Sequence, residues 1–482
     1  MAAPRLEPAV NRLTFERFEV ALLFVAIAAA ASLMPAANDT WWHLREGEML
    51  WHGASPLVDT FSHTAFAGYW QNREWLSQIA FYALYRIGGL PLLTAALAAV
   101  ATGAWWLSWR LMTGPTIQRV ALIAFALVTS SIEWSVRPQV FTLFFVALTA
   151  LLIDRRAWLV LPLVFLLWAN LHAGVLIGCV LLGVGVISSF MHESRREAAL
   201  SFVAALLAFF TTALTPIGFA LWTETFDVVR RAKAIGLSEL QPARLDNWTL
   251  LPFWTITIAL VILVVRARPW ERDSPARRFV VLGALALVPV ALIAGRNVPS
   301  MLLLGVPAVD TLVPGQLWRA RFRRQSTERP LLNAALLAGA LAIAVCAVGY
   351  SWLKPADRLA WNPLPAGLAT ATESCPARLY NRFDEGGYLI WFARGQKVFV
   401  DSRFDPFPTS LLQEQVRLED SGDYQQLFGR FDIHCAVIPH DSRLASRLVM
   451  DGWQAVYDDA GWVVLTSERP LRVRASRLEE VP

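Results

Sequence analysis

The chain has 482 residues, 56% of them in the hydrophobic set and only 17% charged, with a mean hydropathy of +0.44. That composition excludes an ordinary soluble protein, a disordered chain and a collagen-like fibre, and 4 cysteines are too few for a disulfide scaffold. The net charge of +5 is read by position, because a membrane protein retains Lys and Arg on its cytoplasmic side; it does not argue for a nucleic-acid partner.

Apolar runs long enough to cross a bilayer begin at Phe18 to Met34. They continue at Leu90 to Leu111, Ile117 to Ile132, Val140 to Ile153, Ala157 to Asn170, Leu171 to Phe190, Ala198 to Thr215, Thr249 to Val265, Phe279 to Gly295, Pro299 to Val313 and Leu331 to Trp352. This predicts a polytopic α-helical membrane protein of about eleven spans. The stretch around Asn170-Leu171-His172-Ala173-Gly174 is too long for one crossing, so its break is expected to be a tight turn between antiparallel helices. With the amino end inside, the short inside loops carry Arg5, Arg12, Arg17, Arg110, Arg119, Arg155, Arg156, Arg195, Arg196, the run Arg266 to Arg278 and the cluster Arg319 to Arg329. Every one is then basic, which places the amino terminus in the cytoplasm and the carboxyl terminus outside. A cleaved signal peptide ending near Ala36 and Ala37 is the alternative reading of the first apolar run.

Residues 1–352 are thus expected to form the membrane domain and 353–482 a small extracytoplasmic α/β domain. In the latter, Arg378-Leu379-Tyr380, Lys397 to Val400 and Cys435 to Ile438 resemble buried strands. Gly387 to Phe392 and Leu444 to Gly452 resemble helices, and Asp458-Asp459-Ala460-Gly461 a hairpin turn. Cys375 and Cys435, each beside a strand, can pair in an oxidising compartment or remain free. Asp384 to Tyr388 and Asp401 to Asp405 follow strand-like runs, where α/β domains place ligand contacts. The Gly386-Gly387 pair suits either an anion at a helix start or a turn.

The densest polar and aromatic segment is the first outside loop, 35–74. It contains Asn38-Asp39-Thr40-Trp41-Trp42-His43-Leu44-Arg45, then Pro56 to Ser62, then Glu74-Trp75-Leu76. A carboxylate directly after a transmembrane helix sits where partial desolvation strengthens a base. Asp39-x-Trp41-Trp42-x-x-Arg45 resembles the Asp-x-Trp-Phe-x-x-Arg stretch after the first helix of the oligosaccharyltransferase catalytic subunit. More broadly the chain resembles the GT-C class of membrane glycosyltransferases. It is most similar to a widespread bacterial group of that class at Asp39 to Gly47, Pro56 to Ser62, Glu74 to Leu76, Trp168 to Gly174 and Gly386 to Leu389.

The resemblance implies an enzyme of the bacterial inner membrane that moves a sugar from a polyprenyl-phosphate donor to a glycan, lipid or protein acceptor on the outer side, with inversion. It makes Asp39 the general base; the alternative is a helix-end or N-cap carboxylate. His43, Arg45, Arg137 and Arg296 are candidates for neutralising the leaving phosphate. Glu133 matches the class's second-loop acid, or pairs with Arg137 across its short turn. Asp59 and Glu74 are further candidates, set against a turn residue and a helix-start carboxylate. His172 is either a donor contact or a satisfied turn residue, and Glu239 opens a Glu-Leu-Gln-Pro stretch that loosely matches the bacterial group. Related transferases carry an Asp-Glu pair where this chain has Asn38-Asp39, so a divalent metal has no clear ligand set. A membrane scaffold for envelope assembly, or less readily a transporter or flippase, is the rival reading.

Overall fold

The structure, a computed structural model, describes residues 13–65, 68–268, 275–313, 328–354, 364–375, 378–403 and 405–467. Of the expected inside arginines, Arg5, Arg12, Arg272 and those from 319 to 324 lie outside the described residues. In chain order the first helices are α1 (Phe15–Ser32), α2 (Asn38–Trp51), α3 (Trp75–Leu111), α4 (Thr116–Ser130), α5 (Gln139–Asp154), α6 (Leu161–Leu171), α7 (Val175–His192), α8 (Arg195–Thr211) and α9 (Ala220–Ala234). They are followed by α10 (Leu251–Ala267), α11 (Pro275–Ile293), α12 (Val298–Leu312) and α13 (Pro330–Trp352). Two compact units result, with chain crossings after Pro35, Ala83, Phe226, Gly236 and Lys354.

The regular elements of the first unit are all helices among the described residues. Among the described residues, Trp75–Leu111, Thr116–Glu133, Val175–His192, Trp248–Ala267 and Pro330–Trp352 are long and apolar enough to cross a membrane. The break at His172–Gly174 falls between α6 and α7, where a turn was expected. Within Trp75–Leu111, Gly88 and Gly89 leave helical geometry, with Gly89 at φ +64°. A residue without a Cβ adopts that conformation readily, so the helix bends there.

Helix α12 is the hub of this unit, buried along nearly its whole length and packed on α4, α5, α10 and α11. Pro307 inside it cannot donate to the carbonyl of Leu303, and a stranded carbonyl is costly without water. The Ser108 hydroxyl donates to that carbonyl at 2.8 Å. Near the end of α12 the buried Asp310 carboxylate accepts from the backbone N–H groups of Thr113 and Gly114 and from Gln118, each at 2.8 Å. The α3–α4 turn is therefore held by side-chain chemistry. In contrast, α13 exposes almost all of its side chains and lies along α1.

The second unit joins the segment Ala36–Ala83 and the stretch 227–236 to the carboxyl-terminal residues. It contains α14 (Ala366–Glu373), α15 (Gly386–Phe392), α16 (Thr409–Ser421), α17 (Gln425–Phe431) and α18 (Arg443–Met450). Its sheet comprises β1 (Arg378–Asn381), β2 (Ile433–Pro439), β3 (Gln454–Asp458) and β4 (Trp462–Thr466), in the order β1-β2-β4-β3. β1 runs parallel to β2, whereas β4 is antiparallel to both β2 and β3. The apolar run of β2 marks a strand covered on both faces, as its burial confirms.

One expected strand is absent from this sheet. Lys397 to Val400 instead pairs with the early loop: Val398 donates to Phe61 O at 2.9 Å and accepts from His63 N at 3.1 Å. Burial of Val398, Phe399 and Val400 explains their apolar character, which cannot by itself distinguish a sheet strand from a segment bridged to a distant loop.

Cys375 and Cys435 form a disulfide with a Cα–Cα distance of 5.9 Å. It ties the segment before β1 to β2 across a sequence separation of 60, and closing a loop of that size contributes about 4 kcal/mol in the chain-entropy account. Cys375→Ser should therefore lower the thermal unfolding temperature of the full-length protein and add the Cys435 thiol to those of Cys179 and Cys346 as reactive under denaturing, non-reducing conditions. Unchanged melting would contradict this role.

Candidate functional site

In the second unit, α2 begins at Asn38 after Ala37 and places Asp39 in its first turn. Asp39 is half-buried. Trp42, one turn later, directs its indole N–H towards Asp39 Oδ1 at 3.4 Å and Ser402 Oγ at 3.2 Å. The start of α15 closes on the same turn. A Cβ at Gly387 would stand 2.4 Å from the Asn38 carbonyl oxygen, and one at Gly386 would stand 2.2 Å from that of Val400. The diglycine thus lets two backbones approach, a use distinct from the anion-binding and turn readings. Trp41 packs edge-on against Phe392, with ring centroids 4.9 Å apart.

The packing brings Asp384 near Asp39. Burial raises the Asp384 pKa, Arg382 opposes the shift, and the Asp39 charge adds to it. The sequence had singled out 384–388 and 401–405, but had not connected either stretch with Asp39.

Behind this turn is a buried ion cluster. Arg403 Nε and Nη2 contact the two oxygens of Asp401 at 2.7 and 2.6 Å, while Nη1 lies 2.7 Å from Asp59 Oδ1. The side chains of Asp59, Asp401 and Arg403 have 0% exposure. Asp59 also accepts from Ser62 Oγ at 2.5 Å and from the backbone N–H of Ser62 at 3.2 Å. Burial would raise the Asp59 pKa, but Arg403 and Ser62 outweigh it and hold the carboxyl below its ordinary value. The guanidinium carbon lies 4.7 Å from the centroid of the Trp70 ring.

Nearby, Asp405 accepts from Arg73 at 2.9 Å and from the Trp70 indole at 3.2 Å. Arg231 donates to the Asp405 carbonyl at 3.2 Å and Thr409 Oγ1 at 3.1 Å, and also to the Phe407 carbonyl. Asp59 is consequently part of an ion cluster as well as a turn residue.

His43 is buried on the Asp39 face of α2, with Nε2 3.7 Å from Glu74 and Nδ1 3.4 Å from Gln78 Nε2. Glu74 just precedes α3, and its carbonyl accepts from Gln78 N. Arg45 pairs with Glu48 at 2.6 Å, and Glu48 is shared with Arg394 at 3.1 Å. The structure therefore places Arg45 in that carboxylate network. Glu46, unremarked in the sequence, is buried beside Asn72; burial is the main cause that pushes its pKa up to about 7.

In the helical unit, Glu133, Arg137, Glu239 and Arg296 come together. Arg137 reaches Glu239 at 2.9 Å and Arg296 reaches the other oxygen at 3.6 Å. Arg296 also donates to Gln139 Oε1 at 2.5 Å, and Gln139 donates to Glu133. Gln139 is the member that sequence reasoning missed; a neutral amide beside a proline gives no charge signal. His172 stands apart, with Nδ1 accepting from Gly174 N at 3.0 Å and contacting Thr142 Oγ1 at 2.7 Å. The first of these bonds closes the turn and the second reaches across to α5. Among the described residues, no group of three or more His, Cys, Asp and Glu side chains is placed to hold a metal ion.

No family model matches the chain, and no curated protein matches it. Among solved structures, the archaeal oligosaccharyltransferase AglB from Archaeoglobus fulgidus, in complex with an inhibitory peptide and a dolichol-phosphate, overlays with a TM-score of 0.59 at 12% identity. The match covers 87% of this chain and 69% of that one. The apo oligosaccharyltransferase of the same organism gives 0.52 at 12% identity, with the same coverage. ArnT from Cupriavidus metallidurans, bound to undecaprenyl phosphate, overlays more loosely at 0.49 and 13% identity, covering 92% of this chain and 96% of that one. The two oligosaccharyltransferase overlays bear out the expected GT-C resemblance at the level of the fold.

Two predictions follow from the second unit's buried charges. Arg403→Leu strands two buried carboxylates and should cost about 3 to 5 kcal/mol of stability, read as a lower thermal midpoint; wild-type melting would remove Arg403 from its structural role. Glu46 has a folded pKa above the ordinary 4.5, so its favourable contribution is full below about pH 4.5 and lost as pH rises through about 7. Glu46→Gln should raise stability at pH 8 relative to pH 5, by up to about 3 kcal/mol. An equal effect at both pH values would contradict the assignment.

Proposed function

We propose that the protein is a GT-C glycosyltransferase that moves a sugar from a polyprenyl-phosphate donor to an acceptor hydroxyl or amide outside the membrane. The observation that carries this reading is the half-buried Asp39 at the start of α2, in a fold shared with an oligosaccharyltransferase. Asp39 removes the acceptor proton, the acceptor attacks the anomeric carbon, and the carbon–phosphate oxygen bond breaks with inversion. Trp42 and Ser402 position the base through the shared indole N–H.

Within the helical unit, Arg137 and Arg296 are the cations proposed to bind a phosphate group. Glu239 now contacts both and must yield to a phosphate binding there. In the second unit His43, Arg45, Asp59 and Glu74 are proposed to support Asp39, with Asp59 acting through Arg403; in the helical unit Glu133 and His172 are proposed to support Arg137 and Arg296. The proposed topology has eleven spans, a cytoplasmic amino end and a periplasmic carboxyl-terminal α/β domain in a bacterial inner membrane. The Cys375–Cys435 disulfide supports an oxidising compartment for that domain.

Membranes containing wild type or Asp39→Asn, supplied with radiolabelled polyprenyl-phosphate sugars and envelope extract, test the chemistry. Label transfer should fall at least about a hundredfold in the variant at equal amounts of folded protein; equal transfer would reject Asp39 as base. Glu239→Gln should tighten binding of unglycosylated polyprenyl phosphate by about tenfold in an equilibrium titration, and weaker binding would reject the exchange of carboxylate for phosphate.

A further inference from the structure

The second unit holds a cavity of about 550 Å³ lined by Asp59, Ser62, His63, Arg378, Gln396 and Lys397, with small residues between them. That volume is within the range of about 300 to 1,000 Å³ typical of small-molecule sites. Its walls are fixed before any ligand arrives. The early loop and the 396–399 segment are cross-linked by the Val398–Phe61 and His63–Val398 backbone bonds and by Thr64 Oγ1 donating to the Phe399 carbonyl. Gln396 donates to the Cys375 carbonyl at 2.8 Å, beside the disulfide.

The charges on this wall are unequal. Asp59 shares Arg403 with Asp401, so that buried trio carries one net negative charge, whereas the exposed Arg378 and Lys397 bring two positive ones. His63 accompanies them as a neutral ring: burial lowers its pKa, and the Arg378 and Lys397 charges lower it further, against the Leu379 carbonyl at 3.0 Å. The cavity therefore presents net positive charge among hydroxyl, amide and glycine groups. A strongly apolar ligand would leave these groups without partners, and an anion alone would leave much of the volume unused.

We propose that this cavity binds an acidic saccharide, with a carboxylate or phosphate on a sugar engaging Arg378 and Lys397. The choice of a saccharide rests on the transfer reading above; the preference for an anion rests on the cavity itself. The site holds part of the acceptor glycan and selects acidic acceptors over neutral ones.

The test uses full-length protein in nanodiscs of zwitterionic lipid, titrated with a glucuronic-acid-containing oligosaccharide and with a neutral oligosaccharide of equal length. The acidic probe should bind at least about tenfold more tightly, with affinity falling as salt rises. Lys397→Glu should abolish that preference without changing the melting temperature, and Arg378→Gln should weaken it. Asp39→Asn should bind the acidic probe as wild type does. Equal affinity for both probes, or an undiminished preference in Lys397→Glu, overturns the proposal. Loss of sugar transfer with acidic binding intact would count against the transfer reading alone; transfer without acidic binding would count against this site alone.

Discussion

The second unit depends on one fully buried guanidinium. Arg403 is held between Asp401 and Asp59, joining a loop near the amino end to a segment near the carboxyl end. A charge without water requires several well-placed partners, and the packing supplies two carboxylates and the faces of Phe61 and Trp70. The consequences extend outward from that centre. Ser402 reaches Trp42, Trp42 reaches Asp39, and Asp405 is anchored by Arg73 and Trp70. Helix α2, which carries Asp39, is thus part of a packed unit, which gives that carboxylate a fixed position.

The helical unit solves a related problem. An apolar surrounding makes each stranded polar group costly, and α12, its most buried helix, contains both a proline and an aspartate. Ser108 satisfies the carbonyl released by Pro307, and the Asp310 carboxylate gathers donors from the α3–α4 turn. The same principle accounts for the Glu133, Arg137, Gln139, Glu239 and Arg296 group, in which each side chain has a partner of opposite sign or a hydrogen bond.

The helices were legible because apolar run length reports directly on a helix in lipid, and the His172–Gly174 break was legible because it interrupts such a run. Asp39 was legible through its local spacing with Trp41, Trp42 and Arg45. The contacts that position it were not. Arg403 looks like one surface arginine among many until Asp59 is brought beside it, and no periodicity encodes so distant a pairing. Lys397 to Val400 was apolar for a reason other than sheet membership, and Gly386-Gly387 marked a close approach to α2 that only the folded backbone reveals. Glu46 lies on the inward face of a helix whose polarity suggested an exposed loop.

The central claim is that Asp39 acts in proton transfer rather than in holding the donor. The most direct measurement is equilibrium binding of a polyprenyl-phosphate sugar to wild type and Asp39→Asn in nanodiscs, followed by a single-turnover assay on the same samples. The account predicts indistinguishable donor affinity and loss of turnover in the variant. Donor affinity falling in step with turnover would make Asp39 a binding residue and contradict the claim.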